Sequence, residues 1–397
     1  MELVLWAVTI TLALQLLFVL WNLRQMPKLG LRRGDLLTKE TSQESKQDNS
    51  GDRPLLSVLI PARNEEEQIG QCVSSVLADC SMLLEVLVLD DQSEDGTYEA
   101  ASVSCSGDNR LRVIKGTEKP NGWMGKSFAC HQLSKEANGE WWLFLDADAR
   151  LSDGTLSNAM DMALQQQKGL ITGFPRQVTG SWMEKLIVPL MNFTIACHLP
   201  VKLVRDSTDP KFVAAHGAFL LIHSDSYRQI GGHAAFKEHL VDDMQMAKAV
   251  KRAGLPVTLA DITDYVSVRM YNDASEVWNG YKKNVFAGMG RNLPLLIVLL
   301  LFYSLLYIVP PIMLIMGSLA CGLEGLQSAI SLGIVPAFVA WMLGVAIKYR
   351  VDRQGKQPAK FAWYLPAAIV LLICIAIASW RAAANGQGYV WKGRRYS

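Results

Sequence analysis

The sequence lacks paired cysteines. Its seven cysteines stand singly, at positions 72, 80, 105, 130, 197, 321 and 374, with no Cys-x-x-Cys spacing. Structural zinc sites and redox couples need such spacings, so the pattern argues against both and against disulfides, and it favours a reducing compartment. An excess of one charge is also absent, because the formal net charge is +2 over 397 residues. This near neutrality gives no indication of a nucleic-acid partner.

Charged residues are almost absent from four long stretches, each near the roughly 20 residues that a helix needs to cross a bilayer. These stretches are residues 3–20, 293–321, 326–347 and 361–380. The first also lacks the basic start and the small-residue cleavage site of a signal peptide. We therefore expect an uncleaved transmembrane anchor over residues 1–23, about three transmembrane helices over residues 292–381, and a basic tail over residues 382–397.

Basic residues follow the first apolar stretch at once, at Arg24, Lys28, Arg32 and Arg33. By the positive-inside tendency, they place the next part of the chain in the cytoplasm. Four simple crossings then put the basic tail on the opposite side, against the same tendency. A hairpin or re-entrant fold of the stretch that contains Pro310 and Pro311 would remove this conflict.

A polar segment separates the first apolar stretch from an α/β pattern. Residues 36–54 are rich in Lys, Glu, Ser, Gln and Asp, which is typical of a solvated tether, and we assign residues 24–54 to it. Strands are then predicted over residues 55–60, 85–89, 111–114 and 141–145, and helices over residues 66–78, 97–102 and 127–137. Strands separated by helices imply right-handed crossovers and a mainly parallel sheet, in a domain over residues 55–291.

A further apolar stretch, residues 182–204, is interrupted by Pro189 and Pro200. Lysine and arginine residues border it. Two interpretations remain open, a core element of the domain or a segment that lies on the membrane surface.

Acidic residues follow two of the predicted strands directly. Asp90 and Asp91 come after one strand, and Asp146 and Asp148 come after another. The carboxyl ends of parallel strands meet at one edge of a sheet, where ligands bind, so both clusters should reach that edge. Carboxylates with this spacing can bind a hard divalent cation, Mg2+ or Mn2+, and leave positions open for phosphate oxygens. A simple turn at Asp148 is the alternative.

Three segments resemble, in order and spacing, the motifs of the family-2 glycosyltransferases: residues 57–66 (SVLIPARNEE), 90–97 (DDQSEDGT) and 146–148 (DAD). The resemblance covers about residues 55–290 and implies a GT-A fold and a nucleotide-diphosphate sugar as donor. It implies that Asp146 and Asp148 hold the metal and the diphosphate. The residues that it implies for nucleotide-sugar binding are Pro61, Arg63, Asn64, Glu65, Asp90, Asp91, Lys126 and Asp146.

Residues 122–127 (GWMGKS) form a glycine-containing loop that is not a Walker loop, because only two residues separate its glycines. The sequence therefore gives no support for an NTPase. The loop's amides can still approach phosphate, and Lys126 adds positive charge at the start of a helix. A plain turn with a solvated lysine is the alternative. A Gly-Trp-x-Gly-Lys segment recurs in family members that act on lipids, which favours a binding role.

Two aspartates, Asp242 and Asp243, open a predicted helix that runs to Ala253. The helix dipole favours carboxylates in a first turn, so capping alone also explains them. The segment resembles the family's Glu-Asp motif, whose Asp is the general base, and this maps to Asp243. Asp242 stands where Glu is usual, which leaves open whether the two share or exchange roles. Such a base takes the proton from an acceptor hydroxyl as it attacks opposite the leaving diphosphate, which inverts the anomeric centre.

His216, Gly217 and the segment around His233 resemble the family's acceptor-side loops, and we assign neither histidine a catalytic role. Trp278 precedes the second apolar stretch, where a membrane-interface anchor is the alternative to acceptor binding. Polymer-forming members carry Gln-x-x-Arg-Trp in this region. The motif is absent here, which favours transfer of one sugar per acceptor.

Together these features resemble bacterial carotenoid glycosyltransferases of the diaponeurosporenoate type, and hopanoid and ceramide glycosyltransferases. The resemblance implies an inverting hexosyltransferase that moves one sugar, with UDP-glucose as the suggested donor, to a membrane lipid such as a carotenoid or another terpenoid. Mg2+ or Mn2+ is the implied cofactor. A multi-pass protein of the cell membrane with a cytoplasmic catalytic domain is expected. A processive polysaccharide synthase or a polyprenyl-phosphate sugar synthase is the alternative.

Overall fold

The computed structural model describes residues 1–30, 55–78, 84–104, 107–385, 389–391 and 394–396. Most of the predicted tether lies outside these residues, together with Arg32, Arg33, Cys80 and Cys105. Within the tether's described part, the Leu29 amide donates to the Asp261 carbonyl at 3.1 Å. This contact attaches the segment after the first helix to the end of the strand that contains Asp261.

The chain divides into two compact units. The unit that we call the sheet unit comprises Met26–Arg176 and Val201–Val268. The unit that we call the helical unit comprises Met1–Gln25, Gln177–Pro200 and Arg269–Ser397. Residues 177–200 and 269–291, which the sequence assigns to the sheet-containing domain, therefore belong to the helical unit.

The strands that the structure describes are β1 (Leu56–Ala62), β2 (Leu84–Asp90), β3 (Leu111–Lys115), β4 (Trp141–Leu145), β5 (Ala149–Leu151), β6 (Leu170–Phe174), β7 (Arg176–Gln177), β8 (Phe219–His223), β9 (Val257–Asp261), β10 (Val266–Val268), β11 (Tyr389–Trp391) and β12 (Arg394–Tyr396). The α-helices are α1 (Glu2–Leu23), α2 (Glu66–Leu77), α3 (Thr97–Val103), α4 (Gly125–Glu136), α5 (Thr155–Gln166), α6 (Trp182–Ile187), α7 (Leu190–His198), α8 (Val201–Asp206), α9 (Ser224–Gln229), α10 (Asp242–Arg252), α11 (Ala274–Gly288), α12 (Leu293–Tyr307), α13 (Val309–Glu324), α14 (Leu326–Ser331), α15 (Ile334–Gln354) and α16 (Leu365–Ala384). Two 3-10 helices cover Gly232–Phe236 and Ala359–Tyr364.

The sheet unit is built on seven strands in the order β3-β2-β1-β4-β8-β6-β9. β3, β2, β1 and β4 run parallel, and β6 and β9 run parallel to each other. β8 runs antiparallel to both of its neighbours. The α/β fold with a mainly parallel sheet is therefore confirmed. The chain moves outward from β1 to β3 and then returns to the other side of β1 at β4, which creates a topological switch point between β1 and β4.

The central strands are apolar because both of their faces are covered. All five residues of β4 are buried, and so are six of the seven residues of β2. Strands that are buried on both faces are continuous apolar runs and not alternating patterns. On α2, Ile69, Val73 and Val76 pack into the same core, and each such burial stabilises the fold by roughly 1.5–3 kcal/mol. Residues 86–89 and 141–145 are all apolar, so the polar residues at the carboxyl ends of β2 and β4 begin at Asp90 and Asp146.

The helical unit contains four helices that are long and apolar enough to cross a membrane, counted over the described residues: Glu2–Leu23, Leu293–Leu323, Ile334–Gln354 and Ala359–Ala384. Each overlaps one of the four predicted stretches, although the third helix begins at Ile334 and not at residue 326. The second contains α12 and α13, which are separated only by Ile308 in a right-handed helical conformation. Two antiparallel helices need a connecting loop of two residues or more. The chain therefore does not turn back between α12 and α13, and the side of the membrane on which the basic tail lies stays a prediction.

The stretch over residues 182–204 forms three short helices, α6 and α7 in the helical unit and α8 in the sheet unit. Ser181 caps α6, because its hydroxyl accepts from the Glu184 amide while the Glu184 carboxylate accepts from the Ser181 amide. In the helical unit, the Asn22 amide group donates to the carbonyls of Ala196 and Leu199, which ties α1 to the end of α7. Within the predicted tail, β11 and β12 pair antiparallel.

Candidate active site

The carboxyl ends of β1, β2 and β4 form one edge of the sheet, with β1 in the middle. Asp91 follows β2, and Asp146 follows β4. The Asp91 amide donates to the Ala62 carbonyl at 2.8 Å, so the polar residues after β1 and those after β2 begin next to each other. The structure thus brings both predicted acidic clusters to the switch point, where α/β sheets bind their ligands.

Arg63 leaves the end of β1 and is 7% exposed. Its Nη1 donates to the carbonyls of Asp91 at 2.7 Å and Gln92 at 2.5 Å, and its Nη2 lies 3.2 Å from the Glu94 carboxylate. A guanidinium with several partners in a fixed plane orders the groups around it. Arg63 therefore holds the loop after β2 in place, and that loop carries Asp91.

Asn64 and Glu65 bind the same loop through their backbones. Asn64 has a φ of 52°, and its amide donates to the Ser93 hydroxyl at 3.0 Å. Its side-chain oxygen accepts from the Glu94 amide at 2.9 Å, and the Glu65 amide donates to the Thr97 hydroxyl at 2.8 Å. The predicted nucleotide-binding residues after Pro61 thus form a preorganised double loop.

The Asp90 carboxylate accepts from the Ser93 amide at 3.2 Å, so Asp90 also orders this loop. Asp91 is 2% exposed. Asp90 is also buried, at 8% exposed, and the two adjacent residues should point to opposite sides of the strand end.

Lys126, the second residue of α4, forms an ion pair with Asp146 at the end of β4. Burial opposes the charge on Lys126, but the carboxylates of Asp146 and Asp242 outweigh it and raise the pKa of Lys126. The lysine is therefore charged and lies at the helix N-terminus, where the amide groups of α4 also favour an anion.

Asp148 lies two residues beyond Asp146, and its Oδ1 is buried without a hydrogen-bond partner among the described residues. Burial, together with the negative charges of Asp146 and Glu65, raises the pKa of Asp148 to about 7. An unsatisfied carboxylate oxygen beside a second carboxylate fits a divalent cation. No group of three or more His, Cys, Asp or Glu side chains among the described residues could hold a metal alone. A cation at Asp146 and Asp148 therefore needs further ligands, which phosphate oxygens and water can provide.

Asp242 and Asp243 begin α10, as predicted, and the structure separates their environments. Both oxygens of Asp242 accept hydrogen bonds, from the Ser127 hydroxyl at 3.3 Å and from the Asp243 amide at 3.0 Å. Asp243 Oδ1 accepts from the Met244 amide at 2.7 Å. Burial and the charge of Asp242 raise the pKa of Asp243 to about 7. A carboxyl group with this pKa can accept a proton near neutral pH.

Gly217 marks the point where these groups converge. A Cβ at this position would lie 2.9 Å from Lys126 Nζ, 3.8 Å from Asp243 Oδ2 and 3.9 Å from Asp146 Oδ2. The amine and the two carboxylates, which come from α4, β4 and α10, therefore border one space that glycine keeps open. Residues between 20 and 117 positions apart in sequence thus form one cluster.

The two predicted acceptor-side histidines are both uncharged. Burial lowers the pKa of His216 to about 4, and its Nδ1 accepts from the Ala218 amide at 3.2 Å, which leaves the proton of the neutral ring on Nε2. His233 is 1% exposed, and its Nδ1 lies 2.8 Å from the Tyr227 hydroxyl. Burial lowers the pKa of His233 to about 3. His233 is thus a core residue, whereas His216 adjoins Gly217.

Trp278 lies on α11 in the helical unit, and the structure does not group it with the sheet-edge cluster. Two further residues support the cluster without having been predicted. Ser127 donates to Asp242, and the Thr172 hydroxyl accepts from the His216 amide at 3.2 Å. Ser127 follows Lys126 in the glycine-containing loop, so this motif could have indicated that Ser127 lies at the site. No sequence signal marks Thr172.

Comparisons with known proteins agree with this arrangement. Residues 57–231 match the family model for glycosyl transferase family 2. The 4,4'-diaponeurosporenoate glycosyltransferase of Staphylococcus aureus strain USA300 is 26% identical over 348 residues, which cover 86% of this chain and 88% of that protein. The protein of strain MRSA252 is also 26% identical, over 352 residues. The chain is a glycosyltransferase with a family 2 domain.

Among solved structures, this glycosyltransferase is similar to the mannosyltransferase PcManGT from Pyrobaculum calidifontis in complex with GDP-Man and Mn2+. The TM-score is 0.52 at 18% identity, and the match covers 94% of this chain and 99% of that one. At this identity the likeness supports the GT-A fold alone. The family match includes Asp91, Lys126, Asp146, Asp148 and Gly217 but ends before α10. The role of Asp243 therefore depends on geometry.

Proposed function

We propose that this glycosyltransferase moves one sugar, with inversion, from UDP-glucose to a hydroxyl group of a membrane lipid such as a carotenoid or another terpenoid. One observation carries the proposal: the Lys126 amine and the carboxylates of Asp146 and Asp243 border the same space above Gly217. Sugar transfer from a nucleotide needs positive charge for the departing diphosphate and a base for the acceptor. This space offers both.

The donor's nucleotide is assigned to the double loop of residues 61–65 and 90–97. Arg63 holds the loop that carries Asp91, because its guanidinium donates hydrogen bonds to two backbone carbonyls of that loop. The loop is therefore already ordered when the base and ribose bind. Binding groups that are already ordered lose less entropy when the ligand arrives. Lys126, at the start of α4, is assigned to the diphosphate.

Asp146 and Asp148 would hold Mg2+ or Mn2+. The bound cation would supply Lewis-acid neutralisation of the leaving diphosphate. The fit depends on the Asp148 oxygen that has no partner among the described residues and on its nearness to a second carboxylate. Oxygen ligands of this type suit either ion.

Asp243 is assigned as the general base. Its Oδ2 faces the space above Gly217, whereas both oxygens of Asp242 accept hydrogen bonds. Asp243 would take the proton of the acceptor hydroxyl as that oxygen attacks the anomeric carbon from the side opposite the diphosphate. This attack inverts the configuration of the carbon. Asp242 positions the start of α10 through Ser127.

The lipid acceptor is inferred from the apolar helices of the chain and from its relatives. A soluble nucleotide sugar needs no membrane, but four helices are long and apolar enough to cross one. The Staphylococcus aureus relatives are named for a carotenoid acid, and they match 86% of this chain. The absence of Gln-x-x-Arg-Trp supports transfer of a single sugar.

Product analysis tests the reaction type. The full chain, reconstituted in vesicles, is incubated with radiolabelled UDP-glucose and a terpenoid alcohol. The lipids are then extracted and separated, and their masses are measured by mass spectrometry. The expected product carries one hexose per lipid, with the anomeric configuration opposite to that of the donor. A polymer, a polyprenyl-phosphate sugar or retained configuration would overturn the proposal.

Asp243→Asn tests the base. We expect kcat with the terpenoid alcohol to fall by about 10²–10⁴-fold, because removal of a general base costs about this much. Binding of UDP should remain within twofold, since Asp243 does not contact the nucleotide in this assignment. Asp242→Asn is the matched variant and should lose less. If the two variants show the reverse order, Asp242 is the base and the assignment fails.

The acceptor's own acidity gives a second check on the same variant. A terpenoid carboxylic acid is already ionised at neutral pH, because ordinary carboxyl groups have pKa values near 4. Asp243→Asn should therefore reduce transfer to the acid far less than transfer to the alcohol. Equal losses with both acceptors would show that Asp243 does not act by accepting the proton.

A further inference from the structure

A groove lies between α11 and α16 in the helical unit. Its volume is about 550 Å³. α11 contributes Trp278 and Lys282, which are one helical turn apart and share a face. The α16 side includes Ile377, Ala378, Arg381 and Asn385, which recur at the spacing of one helix face. Neither the family match nor the sheet-edge cluster involves this groove.

One end of the groove is apolar and the other end is polar. Ile377 and Ala378 make one end apolar, while Arg381 and Asn385 at the end of α16 make the other end polar. Ile377 and Asn385 are separated by about 12 Å along the helix, from a rise of 1.5 Å per residue. Lys282 and Trp278 add an ammonium and an indole on the facing helix. The groove thus matches an amphiphile with a negative head and an apolar tail.

The two cations in the groove have no partner within the described residues. Neither the Lys282 side chain nor the Arg381 side chain forms a hydrogen bond or an ion pair there, although the side chains of other basic residues do. The sequence after Asn385 contains no acidic residue and includes Lys392, Arg394 and Arg395. The positive charge of the groove is therefore left for a ligand.

We propose that the α11–α16 groove binds one anionic phospholipid, with its phosphate between Lys282 and Arg381 and an acyl chain along Ile377 and Ala378. α16 belongs to a helix of 26 residues that is apolar enough to cross a membrane, and Arg381 lies in its last turn. Basic pockets between such helices, at the level of the head groups, bind acidic lipid heads. Trp278 beside Lys282 is the residue pair expected at that level.

A phosphate suits the polar end better than a carboxylate does. Lys282, Arg381 and Asn385 together present an ammonium, a guanidinium and an amide. A phospholipid head offers these N–H donors two charged oxygens and additional ester oxygens, whereas a carboxylate offers two oxygens alone. The groove is therefore assigned to a resident phospholipid and not to the sugar acceptor, and this inference does not depend on the proposed function.

The test measures lipid retention by the purified full chain. The protein in non-ionic detergent is mixed with phosphatidylglycerol or with phosphatidylcholine of the same acyl chains, and bound lipid is counted by native mass spectrometry. We expect roughly 25-fold stronger retention of phosphatidylglycerol, since each of the two basic residues favours an anionic head near a membrane surface by about a factor of five. Equal retention of the two lipids would overturn the proposal.

Lys282→Gln combined with Arg381→Gln should bring the preference to within twofold. The matched control is Arg353→Gln combined with Lys360→Gln, which removes two exposed cations of the same unit outside the groove and should keep the preference. Ala378→Trp keeps both cations but fills the apolar end, and it should lower retention of phosphatidylglycerol severalfold. An unchanged preference in the Lys282 and Arg381 variant would contradict the assignment.

Displacement identifies the chemistry of the head. A long-chain carboxylic acid, added at the same concentration as the phospholipid, should leave most phosphatidylglycerol bound. If the acid displaces the phospholipid mole for mole, the groove holds carboxylates and the phospholipid assignment is wrong. Circular dichroism and size-exclusion elution of each variant show whether the fold is intact, so a loss of retention is attributed to the groove itself.

Discussion

The two units of the chain arrange partly buried charge in opposite ways. In the sheet unit, four carboxylates, those of Asp146, Asp148, Asp242 and Asp243, gather near Lys126, and the one ion pair described among them joins Lys126 to Asp146. In the helical unit, Lys348 and Asp352 form a one-to-one ion pair on successive turns of α15. The side chains of the helical pair are 2% and 1% exposed, against 29% and 27% for Lys126 and Asp146.

This difference distinguishes a ligand-binding site in the sheet unit from an ion pair in the helical unit that only stabilises the fold. The helical pair neutralises itself and is closed to water, so it leaves no net charge for a ligand. Asp352 Oδ2, like Asp148 Oδ1, has no hydrogen-bond partner among the described residues, so the contrast depends on the balance of charge. The sheet-edge cluster has surplus negative charge, which contributes to the raised pKa values of Asp148 and Asp243 after burial itself. Such a surplus persists in a folded protein where a ligand or cation later compensates for it. Replacing one charged residue should therefore have opposite effects on stability in the two units.

Asp148→Asn is the substitution with the largest expected effect on the sheet-edge cluster. We expect kcat/KM to fall by at least about 100-fold, because the variant loses a ligand of a cation that is worth several kcal/mol to the reaction. In EDTA at pH 8, the apparent unfolding temperature should stay the same or rise slightly. The pKa of Asp148 is raised, so its ionised form costs stability at pH 8, and the amide removes that cost. Steady-state kinetics and thermal unfolding in detergent measure the two effects.

Asp153→Asn is the control for this variant. Asp153 is exposed and lies five residues beyond Asp148, so its replacement should change neither activity nor unfolding temperature. Addition of Mn2+ should protect the wild-type chain against heat and should protect Asp148→Asn much less. A clear fall of the unfolding temperature of Asp148→Asn in EDTA would show that Asp148 is structural, and the contrast between the units would then be lost.

Lys348→Met is the corresponding change in the helical unit. It leaves the Asp352 carboxylate buried without its cation, and removal of one partner of a buried pair costs about 3–5 kcal/mol. The apparent unfolding temperature in detergent should therefore drop by roughly 5 °C or more, from the usual relation between free energy and melting temperature. UDP binding to the protein that remains folded should not change.

A double variant sharpens the same comparison. Lys348→Met combined with Asp352→Leu removes both charges and should recover most of the lost stability, because a buried ion pair is often replaceable by apolar side chains of similar size. The corresponding double change at Lys126 and Asp146 should recover no activity. If the helical double variant also loses activity while remaining stable, the Lys348–Asp352 pair has a functional role and the division between the units fails.

The sequence was sufficient for elements that local patterns define. β4 begins at Trp141 and ends at Leu145 as predicted, because the run is apolar throughout and has acidic residues on both sides. The same holds for α10, which Asp242 starts and Gly254 follows. The position of both acidic clusters at one sheet edge also followed from the alternation of strands and helices. These features can be predicted from the period of the apolar residues and from the rule that parallel strands are joined by right-handed crossovers.

Long-range contacts could not be predicted in this way. Arg63 contacts the carbonyls of Asp91 and Gln92, 28 and 29 positions away, and no pattern in the sequence shows that its guanidinium is used there. The sequence predicted a hairpin or a re-entrant fold near Pro310 and Pro311, whereas the structure places these prolines in the first turn of α13, directly after Ile308. The closeness of Gly217 to Lys126 depends on the order of strands β4 and β8.

Gly217→Ala is the mildest test of the sheet-edge cluster. The new methyl group would lie 2.9 Å from Lys126 Nζ, which is too close, but a lysine end is flexible and can move aside. We expect the amine to shift relative to Asp146 and kcat/KM to fall severalfold, with little change in unfolding temperature. Gly288→Ala is the control, because nothing lies within 4 Å of its Cβ and alanine favours the helix. Unchanged kinetics in Gly217→Ala would mean that the space above Gly217 is not where donor and acceptor meet.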